Sequence, residues 1–402
     1  MKRIGCICLS LFTFFLMISS SSLGWQETPL GSGNYVSEAP PAPNADLLAA
    51  GGSSVDVFSG HSVTAAGFGI LLMTPSYTVT NSGTIVGALL GVTYIHNGML
   101  MNYGNISGFI PVAFLGAEDA VVDNRGDIVG NTIGIFCGGG ANVSLVNTGR
   151  IVSDGYGIYS AFAGDFRLDN RGDILGDLMG VNLSGSGSID IFNSGSITGT
   201  TEYGIYVQSD NGNINLTNTG RITAIGAVGV GGSAANGNVA LHNQGEISGS
   251  NDAVILGTSN GNVNITNTGR ITATSNVMGA GVLALSYNGS IAFNNLGDIR
   301  GADGIDLIAQ NGNITITNTG NIVATATSYI SPSEWYGDGI YARATNGNIV
   351  LNNQGLISGT LYGVDLDWDS SNVQITNTGS IVASDIPNGI GVYAPTLGNL
   401  SL

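Results

Sequence analysis

Carboxylates gather late in this chain: Asp303 and Asp306, then Asp338 with Arg343, then Asp365, Asp367 and Asp369. Two carboxyl groups facing one glycosidic bond can serve as general acid and general base, and inverting glycosidases hold theirs up to about 9.5 Å apart. If the chain stacks in turns, strand alternation puts Asp306, Tyr341 and Asp365 in one outward column and Arg343 beside Asp367. Asp306 and Asp365 then stand two strand spacings apart, about 9–10 Å. The same residues suit a solvated acidic face with one Arg–Asp surface pair. An acidic chain groups aspartates by chance, so the solvated face is the favoured expectation. A polysaccharide-cleaving site at Asp306, Asp338, Asp365 and Asp367 is the alternative.

A second group is aromatic. The segment from Thr327 to Asp338 carries Tyr329, Trp335 and Tyr336, and Trp368 follows in the next repeat. Exposed rings beside acids make a platform for a sugar ring or a protein partner. The competing expectation is a loop that folds these rings onto the body for local stability. Trp335 and Trp368 also fall at opposite ends of a strand, which argues against one shared site. Other chemistries lack their parts. His61, His96 and His242 are far apart along the chain, which argues against a histidine metal cluster. Cys137 closes the alternating segment Gly134-Ile-Phe-Cys137 and reads as a structural thiol. No Walker loop and no Gly-Gly-x-Gly-x-Asp calcium repeat occurs. The sequence therefore assigns no catalytic residue, metal or cofactor, and the expectation is a protein that is not an enzyme.

The elements that hold these groups are set by a repeat. The frame Asn-x-Gly-x-Ile occurs thirteen times from Asn81 to Asn377, at steps of 21 to 28 residues and one of 35. A period in the low twenties with short β-type segments marks a solenoid in which each repeat is one coil. Between Asn211 and Ala224, Ile214 and Leu216 alternate with polar residues, Asn218-Thr-Gly220 turns the chain, and Ile222 opens a second strand. A third, glycine-led strand follows, as at Gly204-Ile-Tyr206 and Gly339-Ile-Tyr341. Three short strands per coil predict an all-β chain, a parallel β-helix of about 13–14 coils, right-handed by the general crossover preference. The 35-residue step places an inserted loop between second and third strands, where solenoids often carry binding function.

Each fixed residue has a physical task in such a coil. Glycine at the third place is expected to supply the positive φ of a tight corner. The isoleucines, Ile85 to Ile381, point inward as one column, each burial contributing about 1.5–3 kcal/mol. Asparagine either stacks its amide on the coils above and below, as in cross-β assemblies, or makes a local Asx-turn. The place before isoleucine reads Asp127, Arg150, Asp173, Ser196, Arg221, Glu246, Arg270, Asp298. Alternating signs suit in-register coils about 4.8 Å apart.

Residues 1–24 have the form of an export signal: Lys2 and Arg3, an apolar run from Cys8 to Ile18, then small residues to Gly24. The run is too short to cross a bilayer, so cleavage near Trp25 is expected, leaving Cys137 as the single cysteine. The net charge of −17 becomes more negative with the loss of Lys2 and Arg3, and repels nucleic acid and anionic lipid. Residues 25–52, with Pro29, Pro40, Pro41 and Pro43, read as a linker or N-terminal cap. Residues 53–402 form one elongated β-helix domain whose last coil is incomplete. An uncapped solenoid end is sticky, so a missing C-terminal part or a covering partner is expected there.

The unit at 211–224, 260–273 and 311–324 is Asn-Gly-Asn, alternating apolar residues, then Asn-Thr-Gly-x-Ile-x-Ala. It resembles the passenger repeats of bacterial autotransporters and related secreted adhesins, over roughly residues 53–402. That resemblance implies export, display at the bacterial outer surface or release from it, and a C-terminal translocator barrel. The sequence ends Gly398-Asn-Leu-Ser-Leu402, without the alternating strands of such a barrel. The expected function is a monomeric structural or adhesive rod that meets a host-surface or matrix glycan or protein, or serves as a spacer. Replacing Trp335 and Tyr336 with alanine is expected to weaken surface attachment of the purified protein while its melting temperature holds; unchanged attachment removes the loop from consideration.

Overall fold

Period-two alternation inside a two-dozen-residue repeat leaves the chain one economical way to bury its isoleucines, which is to lay each coil on the one before. The computed structural model describes residues 35–36, 47–49 and 54–401, except 73–74, 117, 140–141, 276, 327–336, 368–371, 385–388 and 395–398. They form a parallel β-solenoid of about 13 turns, with no helix. A typical coil has a first strand Ile214–Asn218, a second Arg221–Ala224 and a third Val228–Ala234. Like stands over like: Asn218 pairs with Asn243, Arg221 with Glu246 and Ile222 with Ile247. First strands make one sixteen-stranded sheet. In two early coils the second and third strands merge, as Thr84–Tyr94 and Asn105–Phe114. Within the segment expected to be linker or cap, Tyr35–Val36 and Leu47–Ala49 pair with Ser54–Val57 and Phe68–Leu72.

The isoleucine column lies inside as expected. From Ile85 to Ile357 its members are fully buried, and Ile381 is partly buried in the last described coil. The amide ladder is present too. Nδ2 of each repeat asparagine donates to Oδ1 of the next, from Asn81 to Asn377, at 2.7–2.9 Å. The local turn bond coexists with it, since Asn218 Nδ2 also donates to the Gly220 carbonyl at 3.2 Å. An unpaired buried amide costs about 1–3 kcal/mol, so the ladder penalises any slip that breaks a rung.

A second ladder, not singled out in the sequence, runs over the surface at the turn after the third strand. Asn236 donates to Asn211, Asn260 to Asn236, Asn288 to Asn260, Asn311 to Asn288 and Asn346 to Asn311, at 2.8–3.1 Å. Its donors face the N-terminal end, opposite to those of the buried ladder.

Two expectations need correction. The repeat glycines do not adopt positive φ, which among the described glycines is confined to Gly60, Gly139, Gly279 and Gly337. Their constraint is distance. A Cβ on Gly126 would fall 2.0 Å from the Gly104 carbonyl oxygen, and one on Gly220 would fall 2.1 Å from that of Gly195. The alternating charges do stand in register, Asp127 by Arg150 by Asp173. Among the described residues of that column, however, the one cross-coil ion pair is Arg221 Nε with Glu246 Oε2 at 3.7 Å. Both partners are exposed, so it contributes at most about 1 kcal/mol.

The close approach is testable with two alanines. Gly220→Ala should lower stability by roughly 1–3 kcal/mol or more, read as a fall in urea midpoint. Gly257→Ala, whose Cβ would meet nothing nearer than 3.8 Å, should change it by less than about 0.5 kcal/mol. Equal effects would remove distance as the reason for the repeat glycine.

Candidate functional site

The outer side of the third strand carries two columns of side chains. The first is the residue just before the small residue that opens the strand; the second lies three places further on. In the early coils both are largely apolar: Phe68, Leu90, Ile110 and Ile133 in the first, Leu71, Ala113 and Phe136 in the second, where Thr93 is the one polar member. The apolar members form a buried cluster separate from the main core. Later the columns turn polar. Ala280, Asp303 and Asp338 continue the first, preceded by Asp252, and Leu283, Asp306, Tyr341 and Asp365 continue the second.

First-column aspartates accept from the backbone of the coil above. The Ala280 N–H donates to Asp252 Oδ1 at 2.7 Å, and those of Gly337 and Asp338 donate to Asp303 Oδ1 at 2.6 and 3.0 Å. The second column holds the outward trio Asp306, Tyr341 and Asp365 in register, as the alternation predicts. Asp306 and Asp365 are thus two strand spacings apart, about 9–10 Å. The Tyr341 hydroxyl donates to Asp367 Oδ2 at 3.0 Å, and Arg343 Nε lies 3.5 Å from the same oxygen, the expected Arg–Asp pair.

The solvated acidic face fails as an expectation at Asp303 and Asp338. Asp303 and Asp338 are only 4% and 5% exposed. The Oδ1 atoms of Asp306 and Asp338 are shut off from solvent and have no hydrogen-bond partner among the described residues. These aspartates occupy column positions that the early coils fill with buried apolar side chains. Burial pushes Asp338 up to about 8, with repulsion from Asp303 and Asp365 adding to it. Burial lifts Asp303 to about 6 against the pull of the Asp338 and Gly337 amides. Asp365 also rises to about 6, through burial and then its neighbour Asp367. Asp306 is raised well above the usual carboxylate range, first by burial, then by Asp303 and Asp338. Of these carboxyls, Asp338 is held further above the usual range than Asp303 and Asp365. Carboxyls pushed apart in this way are the raw material of acid–base chemistry.

Among the described residues no three His, Cys, Asp or Glu side chains converge as a metal ion requires. Tyr329, Trp335, Tyr336 and Trp368 lie outside the described residues, as does Asp369. The insertion falls between the second strand Asn321–Ala324 and the third strand Ile340–Ala344, where the long step places it. Cys137 is buried and its thiol is pushed up to about 12 by that burial, in keeping with a structural role. The run Gly257-Thr-Ser-Asn-Gly261 has the spacing of a nucleophile elbow. It falls at a turn between strands Val254–Thr258 and Val263–Asn267, without the helix an elbow needs.

Sequence reasoning missed Asp252 and the rings of Tyr362 and Tyr393, which pair at 5.4 Å further along the same strand face. The signal for Asp252 was available: Asp252-Ala253, Asp303-Gly304 and Asp338-Gly339 each set an aspartate before a small residue at the start of the third-strand segment. Comparison with protein families, with curated proteins and with solved structures finds no match for this chain. What defines its class is the fold, a β-solenoid repeat protein.

The raised carboxyls fix a pH dependence. The folded state binds their protons more tightly than the unfolded chain, so their contribution to stability is complete below about pH 4. It is lost as pH rises through about 6 for Asp303 and Asp365 and about 8 for Asp338. Each tenfold gain in proton affinity on folding corresponds to roughly 1.4 kcal/mol. Urea midpoints measured from pH 4 to 9 should fall with rising pH, and Asp338→Asn should flatten the upper part of that slope. A flat profile in the parent protein would mean these carboxyls are hydrated.

Proposed function

We propose that this chain is a structural and adhesive rod, exported and displayed at a cell surface or released from it. The observation that carries this reading is the unbroken in-register stacking of about 13 turns, which at the usual strand spacing gives a stiff body about 60 Å long. Stability comes from neighbour-on-neighbour contacts, so such a body can be long without a large globular core. Its flanks present side chains at fixed intervals, which suits attachment at several points and suits a spacer. The sequence resemblance to autotransporter passengers supports export and display.

A polysaccharide-cleaving enzyme is the second reading, and one specific observation favours it. Asp306 and Asp365 share one outward column with Tyr341 between them, two strand spacings apart, a separation near the upper end used by inverting glycosidases.

One pair of measurements separates the two. Small-angle scattering should report a monomeric particle about 60 Å long, and the purified protein should bind matrix-coated surfaces saturably while releasing no reducing ends from neutral or acidic polysaccharides. Turnover abolished by Asp306→Asn or Asp365→Asn would instead establish the enzyme. A compact particle with neither property would end both readings.

A further inference from the structure

Basic residues are scarce, ten Lys and Arg in 402 residues, yet two arginines occupy equivalent places two coils apart. The hexapeptide Asp-Asn-Arg-Gly-Asp-Ile occurs at 123–128 and again at 169–174. In each copy the arginine folds back on the aspartate of its own coil. Arg125 Nε and Nη2 donate to both oxygens of Asp123 at 2.9–3.2 Å, and those of Arg171 donate to Asp169 at 3.1 and 2.6 Å. Two-point pairing fixes the plane of each guanidinium. Arg125 also lies over the ring of Tyr103, 5.3 Å from its centre.

The coil between the two copies is built differently. Val146 stands in register between Asp123 and Asp169, and Thr148 takes the place of the arginine. Both are short, so the surface drops into an open cleft of about 600 Å³ with Arg125 and Arg171 among its walls and Met99, Val121 and Val146 on its floor. The coils bearing the two clasps are about 9–10 Å apart at the backbone. This first-strand face is separate from the third-strand face that carries the acidic column.

The chemistry of the cleft selects a ligand class. Each clasp neutralises its own charge, while its outer guanidinium edge still offers N–H donors and its carboxylate keeps unused lone pairs. The arginines are 54% and 59% exposed and so within reach of a ligand. Fixed donors and acceptors around an aliphatic floor match a sugar ring, which has hydroxyls at its edge and C–H groups on its face. An anion gains little from arginines that are already paired, on a chain of net charge −17.

We infer that the cleft between Arg125 and Arg171 seats a ring of a neutral glycan. This deepens the attachment reading by giving the rod a ligand class and a seat.

Titration calorimetry of the purified full chain tests it, with hexamers of β-glucan, xylan and mannan as probes and a polygalacturonate hexamer as the anionic counterpart. At least one neutral hexamer should bind, and the double variant Arg125→Gln, Arg171→Gln should weaken it tenfold or more. Val146→Trp plugs the floor without touching either arginine and should weaken it as much, which keeps the test valid if the double variant unfolds. Arg221→Gln, on another wall of the rod, should change nothing. No neutral hexamer binding, binding of polygalacturonate alone, or neutral binding that survives the Val146→Trp plug would each overturn the inference. The assay contains no cells, so lost surface attachment with intact hexamer binding would count against the adhesive rod and not against the cleft.

Discussion

How closely one coil lies on the next is the constraint behind nearly everything in this molecule. At the corner after the first strand, the carbonyl of one coil approaches the Cα of the following one until only a hydrogen fits, as at Gly126 and Gly220. That approach brings the buried asparagine amides to 2.7–2.9 Å of one another. It also sets isoleucine on isoleucine through the interior. Glycine, asparagine and isoleucine thus answer a single geometric demand. Each acts only on the coils directly above and below, which is why the pattern tolerates steps of different length between repeats.

The same stacking turns distant positions in the chain into neighbours. Asp252, Asp303 and Asp338 share one column, and Asp306 and Asp365 share another with Tyr341 between them. Like charges piled at strand spacing and cut off from water cannot all ionise, so some of them keep their protons. In the early coils the same column positions hold Phe68, Leu90 and Ile110. The acidic region is therefore a local change of side chain at column positions that are buried in the early coils as well. On the first-strand face, a change of side-chain length in one coil opens a cleft between two others.

Coil architecture, register, the inward isoleucines and the amide ladder were all legible in the sequence, because a frame repeated thirteen times leaves little freedom to place them. The burial of Asp303 and Asp338 was not. Alternation says which side of a strand a residue faces, not what lies over that side. Glycine was misjudged because positive φ and close approach both demand the same residue, and only coordinates tell them apart. Asp252 stayed hidden because Ala253 follows it, where glycines, Gly304 and Gly339, follow its counterparts. The twin clasps required seeing that Arg125, just past the end of the first strand, folds back on Asp123 within it, and that Thr148 between the copies is short.

The bonds joining coil to coil point along the long axis of the rod, because strands cross that axis and pair in its direction. Tension applied at the two ends therefore falls on one layer of bonds at a time instead of shearing many together. Under load such a filament would peel open turn by turn, each event releasing a loop of slack while the remaining turns stay folded. Pulled from its ends, it would behave as a series of small fuses, yielding in steps before any abrupt break.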